Sequence, residues 1–173
     1  MSRIRGTYQL TGFFWGKIFS NKLFENRIFP LRYWFEDTCN LTIFPLSNRT
    51  YVIPNMLYCY RINLDSISHS ANTNYKKIDT LWVSLKMMSE YIKEFNVIDK
   101  KYLDYVFNQA IMNYGRMQYF DEYTKQCVFV ITREFIDGIN SENLNSISRK
   151  NLYKIFKKND YGYYKLYMKT HCI

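Results

Sequence analysis

The chain has 173 residues, 47% hydrophobic and 23% charged, with a formal charge of +9. These values exclude an intrinsically disordered chain and fit one ordered domain over residues 1–173, with a possible subdivision into 1–65 and 75–173. No apolar run is long enough to span a bilayer, because even Leu10–Phe19 is interrupted by Lys17.

The N-terminal third reads as strands and turns. Leu41–Phe44, Thr50–Ile53 and Leu57–Ile62 are short runs rich in β-branched, aromatic or other apolar residues, separated by Pro45, Ser47-Asn48 and Pro54-Asn55. That spacing predicts a β-meander. Arg27–Phe35 is expected to be extended or half-buried, and the Ser- and Asn-rich Ser66–Asn74 to be a loop.

Beyond the loop the period changes. Ile78, Leu81, Trp82, Leu85, Met88, Ile92 and Phe95 recur at three- and four-residue steps and predict an amphipathic helix. Asp99 can cap a second helix, which carries Leu103, Val106, Phe107, Ala110 and Ile111 on one face and ends near Asn113–Gly115. Together they predict a central antiparallel helix pair. Gln126–Thr132, with its Val-Phe-Val-Ile core, reads as a buried strand that pairs with the N-terminal sheet. The predicted fold class is therefore α+β: a β-rich N-terminal part, the central helix pair, and a C-terminal basic helix-turn-strand.

That last unit is where residue chemistry points to a function. Ser148 precedes a helical pattern and can cap it. At ~100° per residue, Leu152, Ile155 and Phe156 fall in one sector and Arg149, Lys150, Tyr153, Lys154 and Lys157 in the opposite half. A turn at Asn159–Gly162 follows Lys158, and then Tyr163 to Lys169 alternates in the manner of a strand with a basic face containing Lys165. Helix, turn and basic strand is a common arrangement for meeting DNA, with cations on phosphates and polar side chains toward base edges.

Ile147-Ser148-Arg149-Lys150-Asn151-Leu152-Tyr153-Lys154-Ile155-Phe156-Lys157-Lys158 resembles the second helix of an AraC-type helix-turn-helix, with Gly162 one position late and Tyr167 in place. The resemblance is confined to this segment and implies DNA contact through the helix.

Charge is unevenly spread. Lys and Arg outnumber Asp and Glu by 8 to 3 over residues 1–63, are outnumbered 9 to 11 over 64–147, and dominate 7 to 1 over 148–173. A polyanionic partner would explain the separation. Part of the Lys, Tyr and Asn enrichment reflects codon bias, since Ala occurs only at Ala71 and Ala110. An AT-rich gene, as in viruses, phages, plasmids and genomic islands, would produce it.

Catalytic signatures are missing from the sequence. Neither GxGxxG nor GxxxxGK[ST] occurs, so no cofactor is implied, and GxSxG and HExxH are absent. His69 and His171 are isolated, Cys39, Cys59, Cys127 and Cys172 have no metal-binding spacing, and Glu36-Asp37 and Asp121-Glu122 are mere sequence neighbours. The leading expectation is an intracellular nucleic-acid-binding accessory or regulatory protein using Arg149, Lys150, Tyr153, Lys154, Lys157, Lys158, Tyr163 and Lys165. The alternatives are an assembly or virion subunit with an aromatic interface, oligomeric or docked on an acidic protein surface, and a small transferase-type enzyme without a motif.

Overall fold

The computed structural model describes residues 2–4, 14–27, 32–34, 38, 40–47, 49–63, 75–95, 98–140 and 142–171. Its described part is mostly helical, which corrects the predicted α+β class. Among the described residues, strand structure is limited to β1 (Ser2–Ile4) and β2 (Thr50–Val52), an antiparallel ribbon in which Arg3 lies opposite Tyr51. Of the predicted meander, the first run is the one-turn helix α1 (Asn40–Ile43), only the second contains a strand, and Leu57–Ile62 has no regular structure. Asn40 explains the first case: its side chain is buried and accepts a hydrogen bond from the Tyr105 hydroxyl at 3.2 Å, while Thr42 donates to the Met87 carbonyl at 3.0 Å. Those bonds fix α1 against two helices rather than a sheet. The predicted loop Ser66–Asn74 and much of Arg27–Phe35 lie outside the described residues.

From Asp79 onward five helices build the core: α2 (Asp79–Glu94), α3 (Lys100–Arg116), α4 (Glu122–Asp137), α5 (Lys150–Lys157) and α6 (Tyr161–His171). The antiparallel pair α2–α3 forms as expected. Asp99 caps α3 by accepting a hydrogen bond from the Tyr102 amide at 2.7 Å, and Tyr91 near the end of α2 stacks on Tyr102 at 4.0 Å. At the far end Asn113 donates to Ser84 Oγ and accepts from Gln109, both at 2.9 Å. These three polar residues and Thr80 are buried and linked by hydrogen bonds, so they fix how α2 and α3 slide against each other. Two details differ from the expectation: Gly115 lies inside α3, which runs on to Arg116, and Trp82 points to solvent while Val83 and Met87 are buried in its place.

Gln126–Thr132 is helical, in the middle of α4. Helix ends outweigh the β preference of its residues. Asp121 accepts from the Thr124 amide at 2.8 Å, Gly138 closes the C-terminus, and Val128, Phe129, Thr132 and Ile136 face inward at helical spacing. Val130 and Ile131 are left exposed.

The predicted C-terminal strand is also a helix. Asp160 accepts from the Tyr163 amide at 2.9 Å and starts α6, whose buried residues Tyr164 and Met168 are one turn apart. Between α5 and α6 the chain reverses at Asn159, φ 54°, with the Asp160 amide bonded to the Ile155 carbonyl and the Asn159 amide to the Phe156 carbonyl. This is a Schellman closure, and Asn tolerates its left-handed position. Asn159→Gly is expected to leave the melting temperature nearly unchanged, while Asn159→Val costs about 1–2 kcal/mol because a β-branched side chain is strained there. Paired thermal melts check both.

α3 is the central element, packed against α2, α4 and α6. Around it the rings of Phe107, Phe129, Phe156 and Tyr164 converge, with Phe129 stacked on Phe156 at 5.5 Å and Tyr164 at 4.8 Å from Phe129.

Candidate polyanion-binding surface

α5 is anchored on one side only. Leu152 and Phe156 are fully buried and Ile155 half-buried, against α4 and α6. Lys150, Lys154, Lys157 and Lys158 occupy the solvent arc, all exposed. The amphipathic division read from the sequence therefore holds for the lysines, but not for Tyr153 or for Arg149, the residue before the helix. Arg149 turns back toward the body, where its Nε donates to Asn108 Oδ1 at 3.2 Å.

Ser148 does not cap α5. Its amide and its hydroxyl instead donate to the two oxygens of Asp104, at 2.5 and 2.9 Å, and Lys100 donates to the same carboxylate at 2.6 Å. The start of α5 is thus clamped to α3. Burial raises the Asp104 pKa, but the hydrogen bonds from Lys100 and Ser148 outweigh it and hold the carboxyl below its ordinary range. A depressed folded-state pKa stabilises the fold above the ordinary Asp range, and that contribution fades as pH falls through the lowered value. Asp104→Asn is accordingly expected to be modestly destabilising at neutral pH and to match the parent in strong acid. Urea titrations at a series of pH values check the convergence.

Besides Arg149, the residues singled out in the sequence differ in what they touch. Lys157 lies 3.3 Å from Asp137 and Lys165 2.6 Å from Glu122, so these two cations are offset by the protein's own carboxylates. Both pairs are exposed, worth little to stability, yet they weaken the field each lysine projects. Tyr153 is half-buried with its ring edge-on to Phe107, and Lys157 sits over its face at 5.8 Å, so its ring is packed rather than offered outward. Lys150, Lys154 and Lys158 make no ion pair with any described residue. They stand at i, i+4 and i+8, each step advancing about 6 Å along the helix. Tyr163 is 64% exposed on α6, just past the turn.

Sequence reasoning missed the acids that answer these lysines, because Glu122 and Lys165 are 43 positions apart and only the fold brings them together. Among the described residues no catalytic constellation assembles. Asp121 is occupied as a helix cap while Glu122 reaches Lys165, so the adjacent carboxylates serve different partners. The Lys165 ammonium beside Glu122 holds that carboxyl below its ordinary range. His171 stacks on Tyr167 at 3.9 Å, Cys59 and Cys127 are free thiols, and among the described residues no group of three His, Cys, Asp or Glu is placed to hold a metal. No described helix is long and apolar enough to cross a membrane.

What the fold and this surface define is a small helical domain carrying a cationic helix on its exterior. Comparison with protein-family models, with curated proteins and with solved structures finds no match. The local resemblance to an AraC-type helix thus rests on its own few residues, and α5 is followed by a second helix rather than the strand of a winged arrangement.

Proposed function

We propose that the chain is an intracellular nucleic-acid-binding accessory protein that engages phosphates through the solvent face of α5. The observation that carries this reading is the row Lys150, Lys154 and Lys158, exposed and without ion pairs among the described residues, on a helix seated by Leu152 and Phe156. The clamp of Ser148 on Asp104 and the Schellman turn at Asn159 hold both ends of the row, so little ordering is needed on binding. A helix that presents charge at regular steps and few base-reading groups favours the phosphate backbone over sequence. Lys157, tethered to Asp137, plays a secondary part, and the net charge of +9 adds long-range attraction.

Fluorescence anisotropy with labelled single- and double-stranded DNA and RNA, at low and at physiological salt, tests this. Binding that weakens strongly with salt is expected, with little dependence on sequence. Absence of binding at low salt would reject the reading.

A further inference from the structure

A second surface, on residues separate from α5, has its own chemistry. From Arg49 to Asn63 the chain holds two arginines, Arg49 and Arg61, three tyrosines and no acid. Past β2 it has no regular element, and every residue from Tyr51 to Asn63 is exposed. Tyr51, Tyr58 and Tyr60 expose 51, 53 and 58% of their surface. Trp15 stacks on Tyr60, with centroids 5.4 Å apart and planes 21° from parallel. Gly16, at φ 68°, brings the backbone beside the Tyr58 ring, where an added Cβ would lie 3.9 Å from it. Tyr58 and Tyr60, from an acid-free and basic stretch, thus meet the Trp15–Gly16 segment at one place.

Partly exposed aromatic rings suit unpaired bases, since every base has a π-face and arginines neutralise the connecting phosphates. Bases inside a duplex are already stacked on one another and cannot reach such rings. We infer that Trp15, Tyr58 and Tyr60, with Arg49 and Arg61, form a platform for single-stranded nucleic acid. The α5 row supplies charge to any polyanion; this platform selects strands whose bases are free.

The experiment compares two probes on the full chain: a labelled oligo-dT and an inorganic polyphosphate of matched charge. The parent protein is expected to bind oligo-dT more tightly. Tyr58→Ala/Tyr60→Ala weakens oligo-dT binding by about tenfold or more and leaves polyphosphate binding unchanged, while Tyr58→Phe/Tyr60→Phe retains both. Lys150→Glu/Lys154→Glu/Lys158→Glu weakens both probes alike. Circular dichroism of the tyrosine variants should match the parent, because these side chains lie outside the helices. Oligo-dT affinity unaffected by the alanine pair overturns the platform, as does a parallel loss on polyphosphate. So does sedimentation showing that the alanine pair splits a dimer, which would make this a surface for a second copy. If polyphosphate fails to bind while oligo-dT binds through the tyrosines, the α5 reading falls and the platform stands.

Discussion

Phe156→Ala is expected to destabilise the protein by about 3–5 kcal/mol, the largest effect of any single substitution considered. The ring is fully buried and meets Phe107, Phe129 and Tyr164, with centroids 6.3, 5.5 and 5.5 Å away. It is also the residue that seats α5 on α4 and α6, so removal leaves a cavity among rigid rings that collapse poorly into it. Tyr163→Ala, on an exposed ring of the next helix, α6, should change stability by no more than ~0.5 kcal/mol. Urea denaturation of both variants gives the comparison. A loss below about 1 kcal/mol for Phe156→Ala would mean that α5 is not held by the ring cluster.

Reversing Lys150, Lys154 and Lys158 to Glu together is expected to abolish polyanion binding while leaving the fold intact. Each substitution replaces an attractive contact with a repulsive one, so a loss of well over ~100-fold in affinity is the natural scale for three phosphate contacts. Stability should change little, because these side chains are exposed and make no ion pair with described residues. Neutralising Lys165 should have a much weaker effect on binding, since Glu122 already offsets it at 2.6 Å. Anisotropy titrations of the two variants separate the charges that matter from those the protein has spent on itself.

The parts of this architecture that could be read in the sequence are those dictated by helical periodicity and capping chemistry. α2 and α3 have long apolar stripes, and Asp99 marks the start of α3. α5 was legible for the same reason, with Leu152 and Phe156 against a run of lysines. Two helices were hidden by strand-like patterns. In α4 the β-branched run Val128 to Thr132 masks the signals that decide, which are Asp121 before it and Gly138 after it. In α6 the alternation of Tyr and Lys imitates a strand, while the true period is Tyr164 to Met168 above the cap Asp160. With no described sheet beyond the short ribbon, neither segment has a strand to pair with, and tertiary packing overrides local preference. The N-terminal meander failed likewise, because the hydrogen bonds that tie Asn40 and Thr42 to distant helices have no local sequence signature.

The candidate site was legible in part. Amphipathicity placed the lysines on the outward arc, but distance in sequence concealed which of them meet acids. Asp137 and Glu122 reach Lys157 and Lys165 only through helix packing, and Arg149 is diverted to Asn108. Eight candidate residues therefore reduce to a core of three lysines, with Tyr163 exposed on α6. The acid-free aromatic stretch from Tyr51 to Tyr60 looked like sheet to a reading based on propensity. Its exposure turns the same residues into a surface.

The salt dependence of duplex DNA binding tests the central claim most directly. Three phosphate contacts give a slope of log affinity against log salt near ~−2.7, about a 40-fold loss between 50 and 200 mM. The same slope in the Lys150→Glu/Lys154→Glu/Lys158→Glu variant, or affinity that ignores salt in the parent, would contradict the assignment of α5 as the phosphate-binding element.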